Sequence, residues 1–193
     1  MTSKKAPRQG DTGNQKNPDV IIQKARKIRL LLLDVDGVLT DGTILYNENG
    51  LEVKRFFVQD GQGIRWLQRS GIEVGFLSGR CAQAVEMRAK ELDIAFIFQG
   101  IKNKVEVFEE VLQKTNLHPD QVSFVGDDFI DLPLLKKVGL SISVINGHPL
   151  VQKEVDYVTR AAGGYGAVRE VSELIIRAQD KWDPILKDYG LKT

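Results

Sequence analysis

Ile28-Arg29-Leu30-Leu31-Leu32-Leu33-Asp34-Val35-Asp36-Gly37-Val38 decides how this chain is read. The nearly continuous apolar run from Ile28 to Leu33 is the pattern of a strand covered on both faces, the central strand of a parallel sheet. Two carboxylates, Asp34 and Asp36, close the run, and residues two apart in extended structure project the same way. Upstream, Asp19 is placed to cap a short helix over Val20 to Lys27. Downstream, Thr43 to Tyr46 and Leu51 to Val58 flank Asn47-Glu48-Asn49-Gly50, whose Asn-Gly end suits a hairpin turn. The chain then alternates: helix (about Gly61 to Ser70), strand (Ile72 to Leu77), helix (Cys81 to Leu92), strand (Ile94 to Phe98) and helix (about Asn103 to Thr115). It continues with strand (Val122 to Val125), helix (about Leu132 to Val138), strand (Leu140 to Val144), an extended pair at Tyr157-Val158 and a last helix (Ala167 to Ala178). Such alternation implies an α/β fold, a doubly wound parallel sheet with right-handed crossovers, from which the hairpin projects.

The composition narrows the function. At 193 residues the chain fits one domain with a single core. Lys and Arg (27) nearly balance Asp and Glu (26), so no global field draws it to nucleic acid or an anionic membrane. One cysteine and two histidines can build neither an internal disulfide nor a typical structural zinc site. A reducing cytoplasm is the natural compartment. No apolar run approaches a membrane span, and Met1 to Asp19 lacks the core of a signal peptide. Residues 1–19, polar and rich in Pro and Gly, read as a disordered tail. Residues 20–181 then form the domain, with the hairpin over 43–58, and 182–193 form a C-terminal tail.

Ligands of doubly wound sheets bind at the carboxyl ends of the strands. There stand Asp34, Asp36, Ser78, Arg80, Asp127, Asp128 and Asp131. Two carboxylates held close repel unless a cation lies between them, and Gly126-Asp127-Asp128-Phe129-Ile130-Asp131 brings further acids to the same rim. Hard oxygen donors without histidine or thiol select Mg²⁺, which binds through one or two carboxylates plus a substrate phosphate. Ser78-Gly79-Arg80 offers a hydroxyl and backbone N–H groups just before a helix, where an anion is favoured. Lys104 can add a point charge from the next loop.

These four segments, in this order, resemble the motifs of the haloacid dehalogenase superfamily. Val38 to Gly42, Phe57-Val58-Gln59-Asp60-Gly61, Gly126 to Pro133 and Gly163 to Glu170 narrow the resemblance to its 3-deoxy-D-manno-octulosonate 8-phosphate (KDO 8-phosphate) phosphatases, over about Val20 to Lys181. The family carries arginine at the position of Gln59. The resemblance implies a Rossmann-like core without a separate cap, since only about 40 residues part the first two motifs. It implies that Asp34 is the nucleophile, forming an aspartyl-phosphate, and that Asp36 is the acid and base. Ser78 and Lys104 would hold the phosphate. Asp34, the Asp36 main-chain carbonyl and Asp127 would hold Mg²⁺, with Mn²⁺ or Co²⁺ as substitutes, and Asp128 and Asp131 would orient water on the cation. Substrate contacts would come from Phe57, Val58, Gln59, Asp60, Gly61, Arg65, Arg80, Arg88, Phe96 and Lys104. The substrate would be a small sugar phosphate, and the hairpins would join four copies into a homotetramer.

Two other readings stand beside this one. The same chemistry could serve a nine-carbon 2-keto-3-deoxy sugar acid phosphate or a broad set of phosphomonoesters, and a silent scaffold of this fold could act through oligomer contacts alone. Cys81 does not make a cysteine phosphatase, because that loop needs arginine six positions on and Met87 stands there. His118 and His148 each precede proline and read as turn residues.

Overall fold

The computed structural model describes residues 17–191. The first sixteen residues of the expected tail lie outside them. Asn17 rather than Asp19 caps helix α1 (Pro18–Lys27): its Oδ1 accepts Asp19 N at 3.0 Å and Pro18 opens the helix with a φ already suited to it. Strand β1 (Leu30–Asp34) is buried along its whole length. A kinked turn over Val35–Leu39 follows, then the hairpin strands β2 (Leu45–Tyr46) and β3 (Glu52–Val53), far shorter than expected. Helix α2 (Val58–Arg69) leads into strand β4 (Glu73–Leu77), helix α3 (Gln83–Glu91), strand β5 (Phe96–Phe98) and helix α4 (Lys104–Thr115). Strand β6 (Val122–Gly126), helix α5 (Leu132–Leu135), strand β7 (Leu140–Ser143), helix α6 (Pro149–Glu154) and strand β8 (Tyr157–Val158) follow. Helices α7 (Ala167–Ala178) and α8 (Trp182–Asp188) close the fold.

The main sheet runs β5-β4-β1-β6-β7-β8 with every pairing parallel, so the strand order turns at β1. Leu30 pairs with Glu73 on one side and Val122 on the other. Alternate residues of β1 then feed two cores. Leu31 and Leu33 join Phe76, Val125, Val168 and Ile175 beneath α1, α2, α3 and α7, while Leu30 and Leu32 join Phe108, Phe124 and Leu134 beneath α4, α5 and α6. A doubly covered strand needs apolar residues at every position, which is why the run of leucines carries no alternation.

Three departures from the sequence have physical causes. Helix α2 starts at Val58, three residues before the expected position, despite two glycines near its start. Packing overrides their poor propensity: a Cβ on Gly61 would lie 2.2 Å from Arg88 Nη2, and one on Gly63 3.1 Å from Arg169 Cα in α7. The segment from 182, read as a tail, is held by aromatics. Trp182 meets Trp66 edge-on at 5.4 Å, and Tyr189 OH accepts the Trp66 indole N–H at 3.3 Å. Helix α6, not foreseen, is capped by the His148 side chain, which accepts Leu150 N at 3.2 Å. Among the described residues, no helix is long and apolar enough to cross a membrane.

Candidate active site

The carboxyl ends of β1, β4 and β6 converge where the strand order turns. Asp34, the last residue of β1, is buried, and its Oδ1 accepts a hydrogen bond from Lys104 Nζ at 2.6 Å. Lys104, first residue of α4, also donates to Asp131 Oδ1 at 2.6 Å. The other oxygen of Asp131 accepts the backbone N–H of Asp127 at 3.0 Å and of Asp128 at 3.3 Å. Asp131 thus fixes both the lysine and the loop after β6. Asp128 caps that turn, accepting Phe129 N at 2.7 Å. Both acids thus have protein donors that fix their position at the rim.

Glycine makes this crowding possible. Gly37 has φ +100°, and a Cβ there would lie 2.1 Å from Asp127 Oδ2. Only a residue without a side chain lets the β1 loop pass the β6 acid. A second brace comes from the loop before α7, where Gly164 N donates to Val38 O at 3.0 Å and Gly163 N to Asn146 Oδ1 at 2.8 Å.

Oxygen atoms of Asp34, Asp127 and Asp131 lie within 4.8 Å of one another. Burial, and then the neighbouring Asp34 and Asp131, push the Asp127 carboxyl up to about 8. Burial likewise raises Asp34 to about 6, although Lys104 pulls against it. On Lys104 burial opposes the charge, but the two acids outweigh it and raise its pKa. The ammonium bonds Asp34 and Asp131, and among the described residues no basic side chain pairs with Asp127. A divalent cation among these oxygens removes that repulsion, and the all-oxygen donor set fits Mg²⁺.

Asp36 stands on the mouth side of Asp34 and is partly exposed. Ser78 Oγ donates to its Oδ2 at 3.5 Å, and Lys54 Nζ bonds its Oδ1. Lys54 also donates to Glu52 Oε1 at 2.6 Å, and Glu52 accepts Arg80 Nη2 at 3.0 Å and Nε at 3.3 Å. Arg80 Nη2 reaches Tyr46 OH at 3.3 Å. Glu52, Lys54 and Tyr46 come from the hairpin and were not foreseen. In the structure Leu51 and Val53 are 56% and 45% exposed, whereas Glu52 and Lys54, on the alternate face, turn inward.

The remaining expected contacts divide. A cavity of about 570 Å³ beside the mouth is lined by Lys54, Phe56, Val58, Met87 and Arg88, so Val58 and Arg88 share a shelf with Lys54. Gln59 is exposed in the first turn of α2, and Phe57 lies 6.4 Å from Tyr165. Gly61 faces Arg88. Arg65 donates to Glu91 O at 2.8 Å, bridging α2 to α3 away from the acids. Phe96 opens β5 and lines a cavity with Arg29, Glu73 and Gln121 at the amino ends of the strands.

Asp60 is buried and accepts Arg169 N at 2.7 Å and Gly166 N at 3.4 Å at the start of α7. Burial pushes its carboxyl up to about 6, against the pull of the Arg169, Gly166 and Val168 N–H groups and of Arg88. A raised carboxyl binds its proton more tightly in the folded chain. It therefore contributes stability at pH below about 4, and that contribution is lost as pH rises through about 6. Denaturant unfolding of wild type and Asp60→Asn should show the wild-type advantage shrinking by up to ~3 kcal/mol between pH 4 and pH 7. A difference independent of pH would show that Asp60 titrates as it does in the unfolded chain.

The chain is similar to known proteins. The sequence profile of the haloacid dehalogenase-like hydrolases matches residues 77–170. The 3-deoxy-D-manno-octulosonate 8-phosphate phosphatase of Escherichia coli (strain K12) is 52% identical over 163 residues, which is 84% of this chain and 87% of that enzyme. The chain belongs to the KDO 8-phosphate phosphatase family. A second member, from Moraxella catarrhalis, was crystallised with magnesium ion, phosphate ion and KDO; it is 42% identical with a TM-score of 0.86, covering 88% of this chain and 97% of that one. A cobalt-bound member of the KDO 8-phosphate phosphatase family from Haemophilus influenzae is 36% identical with a TM-score of 0.83, covering 87% of this chain and 98% of that one.

Proposed function

We propose that this chain is a Mg²⁺-dependent phosphoric monoester hydrolase that converts KDO 8-phosphate to KDO and inorganic phosphate, in the synthesis of the lipopolysaccharide inner core. The observation that carries the reading is the buried Asp34 carboxylate, 2.6 Å from Lys104, with Asp36 held in front of it. The relatives named above bear the same activity in their names.

Asp34 attacks phosphorus in line and forms an aspartyl-phosphate, splitting one difficult displacement into two. Asp36 gives a proton to the departing sugar oxygen and then takes one from the water that hydrolyses the intermediate. Lys104 supplies positive charge beside the incoming phosphate, and Ser78 adds a donor at the mouth. Asp34, Asp127 and the Asp36 carbonyl would hold Mg²⁺, which when bound offsets the repulsion between carboxylate and phosphate, several kcal/mol at about 4 Å and an effective dielectric near 20. Mn²⁺ or Co²⁺ would serve in its place. The hairpin presents Ile44, Leu45, Leu51 and Val53 outward, an apolar face that supports assembly into a homotetramer. The compartment proposed is the cytoplasm.

Phosphate release from KDO 8-phosphate should need Mg²⁺ and stop with EDTA, and should exceed release from a nine-carbon homologue and from p-nitrophenyl phosphate. Comparable turnover of all three would remove the assigned sugar, to which Gln59 is relevant, and keep the phosphatase. No turnover of any would leave a scaffold.

A further inference from the structure

Strand β3 and the residue after it reverse the usual sense of an amphipathic ribbon: Leu51 and Val53 face out, and Glu52 and Lys54 face in. Lys54 is the extreme case, with a side chain only 2% exposed. An ammonium so placed needs partners, and it has two: Asp36 Oδ1 on one side and Glu52 Oε1 at 2.6 Å on the other. Glu52 is itself pinned by Arg80, which follows β4, through bonds at 3.0 and 3.3 Å. The other oxygen of Asp36 faces Ser78 Oγ at 3.5 Å. Ser78 Oγ already accepts Arg80 N at 3.1 Å, so its proton is directed to Asp36. Each oxygen of the Asp36 carboxylate therefore has one donor, and the charged donor arrives from outside the core sheet.

We propose that Lys54 is a positioning residue for Asp36, and that Glu52, anchored by Arg80, aims the lysine. This rests on Asp36 being the acid and base, as read above. Lys54 works through Asp36 rather than through the substrate. A side-chain carboxyl on a partly exposed loop otherwise samples several rotamers, and a misplacement of 1 Å costs a proton-transfer group on the order of 10²-fold.

The leaving group separates this role from general support. A sugar alkoxide needs a proton as it departs, whereas p-nitrophenolate leaves without one. Lys54→Met should lower kcat for KDO 8-phosphate by about 10²-fold. Single-turnover release of p-nitrophenol, with enzyme in excess, should keep its wild-type rate. Lys54→Arg should recover part of the loss. Glu52→Gln, which keeps the lysine and the shape of the hairpin, should show the same split at smaller size. Equal losses on both substrates in Lys54→Met and Glu52→Gln would make the network merely structural and overturn the proposal. So would a raised KM with unchanged kcat, which would make Lys54 a substrate contact. Failure of the sugar assignment would show separately, as absence of preference for KDO 8-phosphate in the wild type.

Discussion

Asp34→Asn should reduce phosphate release by about 10⁴-fold or more, with no fall in thermal stability. The amide keeps the shape of the side chain and loses the lone-pair charge that attacks phosphorus. Stability should hold because the substitution removes a charge that the fold does not favour. Asp34 is buried beside two further acids, and burial raises its carboxyl to about 6. Lys104 keeps its second partner, Asp131, at 2.6 Å, so the ammonium is not stranded. Phosphate release and thermal melting measured on the same preparation decide the matter. Residual activity above about one per cent with unchanged melting would assign the nucleophile elsewhere.

Gly163→Ala carries the second large effect, and it acts without touching a reacting group. A Cβ at Gly163 would stand 1.7 Å from Gly37 O, 2.6 Å from Gly37 C and 3.2 Å from Val38 Cα. All three are backbone, so no side chain can swing aside. Either the loop before α7 lifts, breaking the bonds from Gly163 N to Asn146 and from Gly164 N to Val38 O, or the β1 turn shifts toward Asp127. Overpacking of this kind costs about 1–3 kcal/mol, which leaves the fold in place. A displacement of the Val35–Leu39 turn, which carries Asp36, should lower kcat by about 10²-fold. Retained secondary structure by circular dichroism with a large kcat loss is the expected result. Wild-type kcat in this variant would show that the glycine loop and the β1 turn move independently of the chemistry.

Elements with a strong pattern were legible in the sequence. The leucine run of β1 has no other comfortable home than a doubly covered strand, and the acids that close it could only be explained by a cation. The Gly126 to Asp131 segment followed from the same reasoning about repulsion. Hidden were the residues whose partners lie far along the chain. Glu52 and Lys54 read as ordinary surface charges because nothing local shows that the hairpin folds its charged face onto Asp36. Asp60 reads as a loop acid near a ligand until α7, more than a hundred residues later, places its N–H groups on it. Strand β5 starts at Phe96, two residues later than its apolar run from Ile94 suggests, because only Phe96 to Phe98 pair with β4. Trp182 belonged to no visible period, and only the Trp66 ring in α2 explains why it is held.

The strand that carries Asp34 is hydrogen-bonded on both sides by parallel neighbours, while the hairpin before Lys54 is a ladder of two pairs, Leu45 with Val53 and Tyr46 with Glu52, in a sheet of its own. In the language of amide exchange these are opposite ends of the molecule's protection scale, the first opening with global unfolding and the second in local fluctuations. On the roles proposed above, nucleophile and acid should have separate lifetimes: Asp34 should stay in place as long as the fold does, and Asp36 should keep its aim only while the two-residue ribbon before Lys54 stays closed.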